Sequence, residues 1–593
     1  MAIEAKQDTP RSPAAKRNYI GLATSFHDAA LAIVDSAGEI RFAEATERSL
    51  QSKRSLCMFP DVVHRAGDLV REHCEPNAEI VIAHSWSTMP PASAPTMHRH
   101  MEKWRQVETS RFAEVPPHIR AELASSEHSA MSHWVMTAFS GNNLKYELSR
   151  VGWPNADNVT SRRFNHHLTH AVTACHASGF DDALCAIVDG LGEGAACAFY
   201  HYRDGRLEQI PVEGERGGSL GLFYQAICLA CGFGALAGEE WKVMGLAAYG
   251  KRDEKLIELC RRAIQVDGLA LHHDSSLELR GAFAEASRVR GAPLLSAADF
   301  AHAGQLVFTE VILRLLNTFA EHGGSRNLVL GGGCALNSSA NGMILENTPF
   351  ERLYVFCAPG DDGNAIGAAR LAFLEDHPDY KPAKTIQSPY LGSTMSPEAK
   401  ENVLRFSGMP KRRLCNGDAP RIAAGLLAEE KIIGWVQGRA EFGPRALGNR
   451  SILASPRSPK IKDIINSRVK FREEYRPFAP AILDEFGDMY FENYQQSPYM
   501  ERTLRFRPDV VDRVPGVVHK DGTGRLQSVK ADWNPAFHAL VSEFHRLTQV
   551  PLVLNTSFNV MGKPISHSVE DVMAVFCSTG LDAVFIDDLL IEK

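Results

Sequence analysis

Residues 19–45 read YIGLATSFHDAALAIVDSAGEIRFAEA, and residues 183–210 read ALCAIVDGLGEGAACAFYHYRDGRLEQI. Each opens with an apolar run suited to a buried strand, breaks at a turn of small, polar or acidic residues, and resumes as a second strand. Each then turns again, at Asp35–Gly38 and at Asp204–Gly205, into a third. Asp and Gly suit those turns because both tolerate the backbone of a tight reversal. A strand meander that occurs twice predicts an α/β chain built by duplication, with two hairpins able to embrace one ligand from two sides.

Residues 327–345, NLVLGGGCALNSSANGMIL, form a third signal of the same kind. An apolar strand ends in three glycines, and Asn337 and Asn341 follow at i,i+4 on a helix. Gly332 and Gly333 let backbone N–H groups approach a phosphate, and the helix N-terminus adds partial positive charge. Together the three segments fit a duplicated α/β fold of the actin, sugar-kinase and Hsp70 type. Between the hairpins, residues 90–160 are rich in His, Met and Trp and read as a helical insertion.

At 593 residues the chain exceeds one core, so two domains are expected. Residues 1–17 read as a disordered tail without the apolar stretch of a secretory signal. No apolar run approaches the ~20 residues needed to span a bilayer. Net charge is −7 and pI about 6.4, which advertises neither nucleic acid nor anionic lipid as a partner. Twelve cysteines, scattered singly apart from Cys228 and Cys231, suit reduced thiols in the cytoplasm. Composition does not fix the oligomeric state, monomer or homodimer.

The stretch HPDYKPAKTIQSPYLG, from His377, carries three prolines and no clear periodicity, which places a linker at 377–388. The first domain is then 18–376 and a second α/β domain 389–593. Within the latter, RALGNRSILASPRSPKIKDIINSRVKFREEYRPFAP, from Arg445, sets Arg and Lys among Gly, Ser, Asn and Pro with few carboxylates. Guanidinium forks, hydroxyls and amides so spaced suit polydentate capture of phosphate.

His166 and His170 are i,i+4 in FNHHLTHAVTACH, so both imidazoles leave one edge of a helix whose apolar face is Phe164, Leu168, Ala171, Val172 and Cys175. Asp189 and the pair Asp361–Asp362 each follow an apolar strand, where α/β sheets place functional groups. Two His and two Asp suit iron, manganese or zinc. His27, beside Asp28 in the first hairpin, is placed to take a proton from a hydroxyl. Lys242, in EEWKVMGLAAYG, reads equally as a phosphate-reaching point charge or a surface lysine.

Taken in order, SFHDAALAIVD, HHLTHA, IVDGLGEG, SLGLFYQ, WKVMGLAAYG, GGGCALN, GDDGNAIGAA, GWVQGRAEFGPRALGNRS, YRPFAP and LNTSFN resemble the O-carbamoyltransferases that modify nodulation factors, cephalosporins, aminoglycosides and other natural products. The resemblance covers nearly the whole chain from Tyr19. It implies a first domain similar to the universal tRNA threonylcarbamoyl-transfer protein and a second similar to the YrdC-type carbamoyl-adenylate synthase. It makes His166, His170, Asp189 and Asp362 the ligands of a metal, Fe2+ or another divalent transition metal. It places Lys242, Gly332, Gly333 and Asn337 around nucleotide phosphates, and His27 beside the acceptor hydroxyl. Arg445, Arg450, Lys470, Arg476, Ser557 and Asn559 would hold carbamoyl phosphate and the adenylate, with Lys53 an added candidate. Two departures stand out: Thr169 replaces a small alanine between the histidines, and SLQSKRS at 49–55 is less basic than its counterpart.

The implied chemistry uses ATP, with Mg2+, and carbamoyl phosphate to make carbamoyl-adenylate, then carbamoylates a hydroxyl of a small-molecule natural product such as an antibiotic, toxin or glycolipid. Two other readings are a threonylcarbamoyl transferase acting on tRNA and a non-catalytic nucleotide switch. A hydrogenase-maturation carbamoyltransferase would carry paired C-x-x-C zinc motifs, which this sequence lacks.

Overall fold

The computed structural model describes residues 16–593 except Phe26, 88–132, Trp134, 214–216, 235–236 and Ser275. β1 (Arg17–Ala23), β2 (Ala30–Val34) and β3 (Ile40–Ala45) form the first antiparallel meander. β4 (Glu79–His84) and β5 (Thr160–Arg163) add in parallel beyond β1, giving the order β3-β2-β1-β4-β5. The second meander is β6 (Asp182–Val188), β7 (Cys197–Arg203) and β8 (Arg206–Ile210). After a separate hairpin, β9 (Ile264–Asp267) and β10 (Ala270–His273), β11 (Asn327–Gly331) and β12 (Arg352–Val355) add in parallel beyond β6. The order β8-β7-β6-β11-β12 repeats the first sheet strand for strand. The duplication read from two hairpins is a duplication of whole five-stranded sheets, the actin/sugar-kinase/Hsp70-like fold.

Each repeat ends in a helix that packs on the other repeat. α1 (His166–Ala177) follows β5 but packs on β6 and β11, whereas α2 (Asn364–Asp376) follows β12 but packs on β1, β2 and β4. The two helices also pack on each other, so nearly all of α1 is buried. That differs from the one-faced helix read from the sequence, because a helix between two sheets needs no solvated side. Gly21 of β1 permits the contact: a Cβ there would stand 1.8 Å from the Ala365 carbonyl oxygen of α2.

From 377 to 396 the chain runs without helix or strand, and this crossing includes the expected linker. The second domain is α/β, a mixed nine-stranded sheet. Its strands are β13 (Lys411–Leu414), β14 (Ile433–Val436), β15 (Arg450–Ala454), β16 (Ala479–Leu483), β17 (Arg502–Arg505), β18 (Thr523–Val529), β19 (Leu552–Ser557), β20 (Ala583–Ile586) and β21 (Leu589–Glu592). Their order is β13-β21-β20-β14-β15-β19-β16-β18-β17. The halves bond directly: Asn341 donates to the Glu501 carbonyl (2.9 Å), Arg48 to that of Gly443 (2.6 Å) and Lys563 to that of Gln51 (3.1 Å).

All twelve cysteines are free. Among the described residues no helix is long and apolar enough to cross a membrane. The tail expectation falls on residues outside the description up to 15, and Arg17 already belongs to β1. Most of the 90–160 insertion also lies outside it; the rest includes a helix at Asn142–Arg150.

Candidate active site

Four side chains from three chain segments meet between the repeats. His166 and His170 stand one turn apart on α1, Asp189 follows β6, and Asp361 opens a short turn after β12. One ligand atom from each lies within 4.8 Å of the others. His166 Nε2 is 3.2 Å from Asp189 Oδ2 and 3.6 Å from Asp361 Oδ1, and His170 Nε2 is 3.6 and 3.5 Å from the same two oxygens. The cluster is braced from outside. Gly333 N–H donates to Asp189 Oδ1 (2.8 Å), Glu193 accepts from His166 N–H (3.2 Å), and Asn165 caps α1 through Leu168 N–H. Gly332, at φ +85°, makes the bend that aims the Gly333 amide.

The fourth member of the cluster is Asp361, and the expected Asp362 lies outside it. Adjacent residues of a tight turn point apart. Asp361 faces α1, whereas Asp362 accepts from the Gly363 amide (3.0 Å) and sits toward Asp28 and Glu47. Burial and those like charges push the Asp362 pKa up to about 8. In the cluster burial opposes every charge, but the opposite signs prevail. Asp361 and the hydrogen bond that His166 donates to Asp189 raise His166 to about 10, and the histidines hold both carboxylates well below their usual range. A buried His170 Nε2 without a hydrogen bond, beside two carboxylates and a second imidazole, fits a borderline divalent metal such as iron, manganese or zinc.

His27 adjoins this cluster. Its Nδ1 is 2.8 Å from Asp28 Oδ2 and 4.0 Å from Asp361 Oδ2. Asp28 takes the left-handed backbone (φ 52°), and Arg54 Nε lies 3.5 Å from its carboxylate. With the Nδ1 proton directed at Asp28, Nε2 carries the ring's lone pair.

The second domain gathers cations. Arg445 makes no hydrogen bond or ion pair among the described residues, and burial pulls its pKa down to about 10. Lys470 Nζ donates to Asn559 Oδ1 (2.6 Å), to Ser557 Oγ (3.3 Å) and to two backbone carbonyls, which unites three expected residues. Burial, with Arg472, Arg476 and Lys53 nearby, drives its pKa well down. Arg476 stacks 3.9 Å over the Trp241 ring and lies 3.4 Å from Glu473. Arg525, buried at Nε without a partner, is depressed by burial and then by Arg445, Arg472 and Arg476. Cations held together without enough counter-charge form a site for a polyanion.

Arg450 is not part of it. Fully buried, it spends its guanidinium on the carbonyls of Gln437 and Asn449 (2.8 Å each) and of Ser393 and Gly438 (3.0 Å each). Glu441 Oε1 completes that scaffold by accepting from the amides of Leu447, Asn449 and Arg450. Of the two arginines in GPRALGNR, one is presented and the other builds the loop.

Both clusters line one cleft of 1970 Å³, with His27, Asp189 and Asp361 along one part and Arg445, Lys470, Arg476, Arg525 and Asn559 along another. Lys242, Gly333 and Asn337 also line it. Lys242, however, is held by Glu239 (2.7 Å) and Glu473 (3.1 Å), and Asn337 caps the helix Ser338–Asn347 while bonding Gln305. The expected phosphate lysine is thus neutralised by two carboxylates, and the glycine turn supports Asp189.

Sequence reasoning missed Arg525, Arg472 and the choice of Asp361. Arg525 stands alone in an ordinary strand, TGRLQSV, with no motif around it. Arg472 lay inside the basic stretch without a distinguishing neighbour. The choice within Asp361–Asp362 depends on turn geometry, whose sequence trace is the preceding Pro359–Gly360.

A family model described as Carbamoyltransferase N-terminus matches residues 18–370, and one described as Carbamoyltransferase C-terminus matches residues 424–593. Nodulation protein NolO of Bradyrhizobium diazoefficiens is 35% identical over 441 residues, 72% of this chain and 79% of that one. Nodulation protein U of Sinorhizobium fredii is 30% identical over 469 residues, covering 74% and 79%. Among solved structures, HypF of T. kodakarensis overlays with a TM-score of 0.32 and 14% identity, over 63% of this chain and 49% of that one.

Proposed function

The chain belongs to the carbamoyltransferase family, and from that premise we propose that it is an ATP-dependent O-carbamoyltransferase acting on a hydroxyl of a small-molecule natural product. The carrying observation is one cleft lined both by the unneutralised cations and by Asp189 and Asp361 of the His/Asp cluster. Two chemistries that share an unstable mixed anhydride benefit from one enclosure, because water competes for the intermediate.

In the second domain, Arg445, Lys470, Arg476 and Arg525 bind the phosphoryl groups of carbamoyl phosphate and ATP. Carbamoyl phosphate and water give carbamate and phosphate; carbamate oxygen then attacks the α-phosphorus of ATP and pyrophosphate leaves. The product, carbamoyl-adenylate, keeps its anionic phosphate against the cations while its carbonyl moves toward the first domain. There His27 Nε2 accepts the acceptor's hydroxyl proton as that oxygen attacks the carbonyl, and AMP departs with the electron pair of the broken C–O bond. Asp28 holds the His27 ring and stabilises its cation, and Arg54 holds Asp28. A metal held by His166, His170, Asp189 and Asp361 would supply Lewis-acid polarisation of a carbonyl oxygen.

The test is incubation of the full chain with ATP, carbamoyl phosphate and a panel of hydroxylated natural products. The expected result is one product heavier by a single carbamoyl group, with equal AMP and pyrophosphate. Release of ADP instead, or turnover indifferent to carbamoyl phosphate, would overturn the proposal.

A further inference from the structure

Trp241 belongs to the first domain, at the start of the helix Trp241–Ala247, yet it packs against Arg476 of the second. The Arg476 guanidinium sits 3.9 Å from its ring centroid and Lys53 Nζ 4.7 Å. Lys242 Nζ, at 5.7 Å from the same ring, is tied 3.1 Å from Glu473 Oε1, while Glu473 Oε2 lies 3.4 Å from Arg476 Nη1. One indole and one carboxylate therefore share three cations drawn from both domains.

That arrangement has a consequence for Arg476. Its nearest opposite charge is Glu473, and a guanidinium left to itself would close both arms of its fork on that carboxylate. The aromatic face holds the guanidinium plane by cation–π attraction instead, and Lys242 occupies the other Glu473 oxygen. The fork keeps N–H groups for an anion in the cleft. Lys53, drawn to the same ring, is held near Arg476 despite like charge. We propose that Trp241 is a positioning residue of the anion site, which orients Arg476 and Lys53 toward a phosphorylated donor and makes that site a joint product of both domains.

The inference rests on the donor-site reading above, and the full chain tests the two separately. Trp241→Leu removes the aromatic face and Trp241→Phe keeps a smaller one. With carbamoyl phosphate varied, KM should rise roughly tenfold in Trp241→Leu and less in Trp241→Phe, with kcat little changed. Inorganic phosphate, titrated into wild type, should alter tryptophan emission in a saturable way, and the signal should vanish in Trp241→Phe. A wild type that neither consumes carbamoyl phosphate nor responds to phosphate removes the donor-site reading itself. A working wild type with the same KM in Trp241→Leu, or with both variants equally impaired in kcat alone, overturns the role of Trp241.

Discussion

Asp361 lies between two functions: its Oδ2 is 4.0 Å from His27 Nδ1, while its Oδ1 faces the imidazoles of His166 and His170. One carboxylate thereby links the candidate base to the candidate metal ligands, and its neighbour Asp362 does neither. Elemental analysis of purified protein should find one transition metal per chain. Asp361→Ala and His170→Ala should lose it, and Asp362→Ala should retain it. Loss in Asp362→Ala with retention in Asp361→Ala would reverse the assignment.

The two arginines of GPRALGNR should separate cleanly. Arg445→Ala removes a side chain without a protein partner, so its thermal midpoint should stay near that of wild type while carbamoyl-phosphate-dependent turnover disappears. Arg450→Ala takes the donor from four carbonyls and empties the fully buried space its side chain fills, and denaturant unfolding should show a loss of roughly 3 kcal/mol or more. Equal stability of the two variants would refute the scaffold role.

What the sequence disclosed followed its local character. The meanders at 19–45 and 183–210, the turn after β11 and the i,i+4 histidines are set by nearest neighbours, and the structure builds each of them. The parallel strands that complete each sheet pair across distant segments, so β4 and β5 went unread and β11 and β12 were legible only as apolar strands ahead of a turn, without their partners. Site roles that depend on direction were hidden. Arg445 and Arg450 are equally basic in one loop, and only the fold turns one outward and the other onto carbonyls. Lys242 was legible as a phosphate-reaching point charge or a surface lysine, but Glu473, which neutralises it, arrives from the other domain.

Acid should weaken the first sheet through His84. Burial and then the Arg163 guanidinium push its pKa from 6.5 down to about 3. Because the folded value is the lower one, the unfolded chain binds the proton first. The stability it contributes is intact above pH 6.5 and is lost as pH falls toward 3, at about 1.4 kcal/mol per unit. Urea unfolding across that range should show a flatter pH dependence in His84→Gln. An unchanged slope would assign the acid response to other groups.

The most direct test of the central claim measures two half-reactions side by side in wild type, Arg445→Ala and His27→Asn: carbamoyl-phosphate-dependent exchange of pyrophosphate into ATP, and formation of carbamoylated acceptor. Arg445→Ala should lose both. His27→Asn should keep exchange while product formation falls by roughly 10²–10⁴, the usual worth of a general base. Loss of both activities in His27→Asn, with the protein folded, would contradict the division of one cleft between donor activation and transfer.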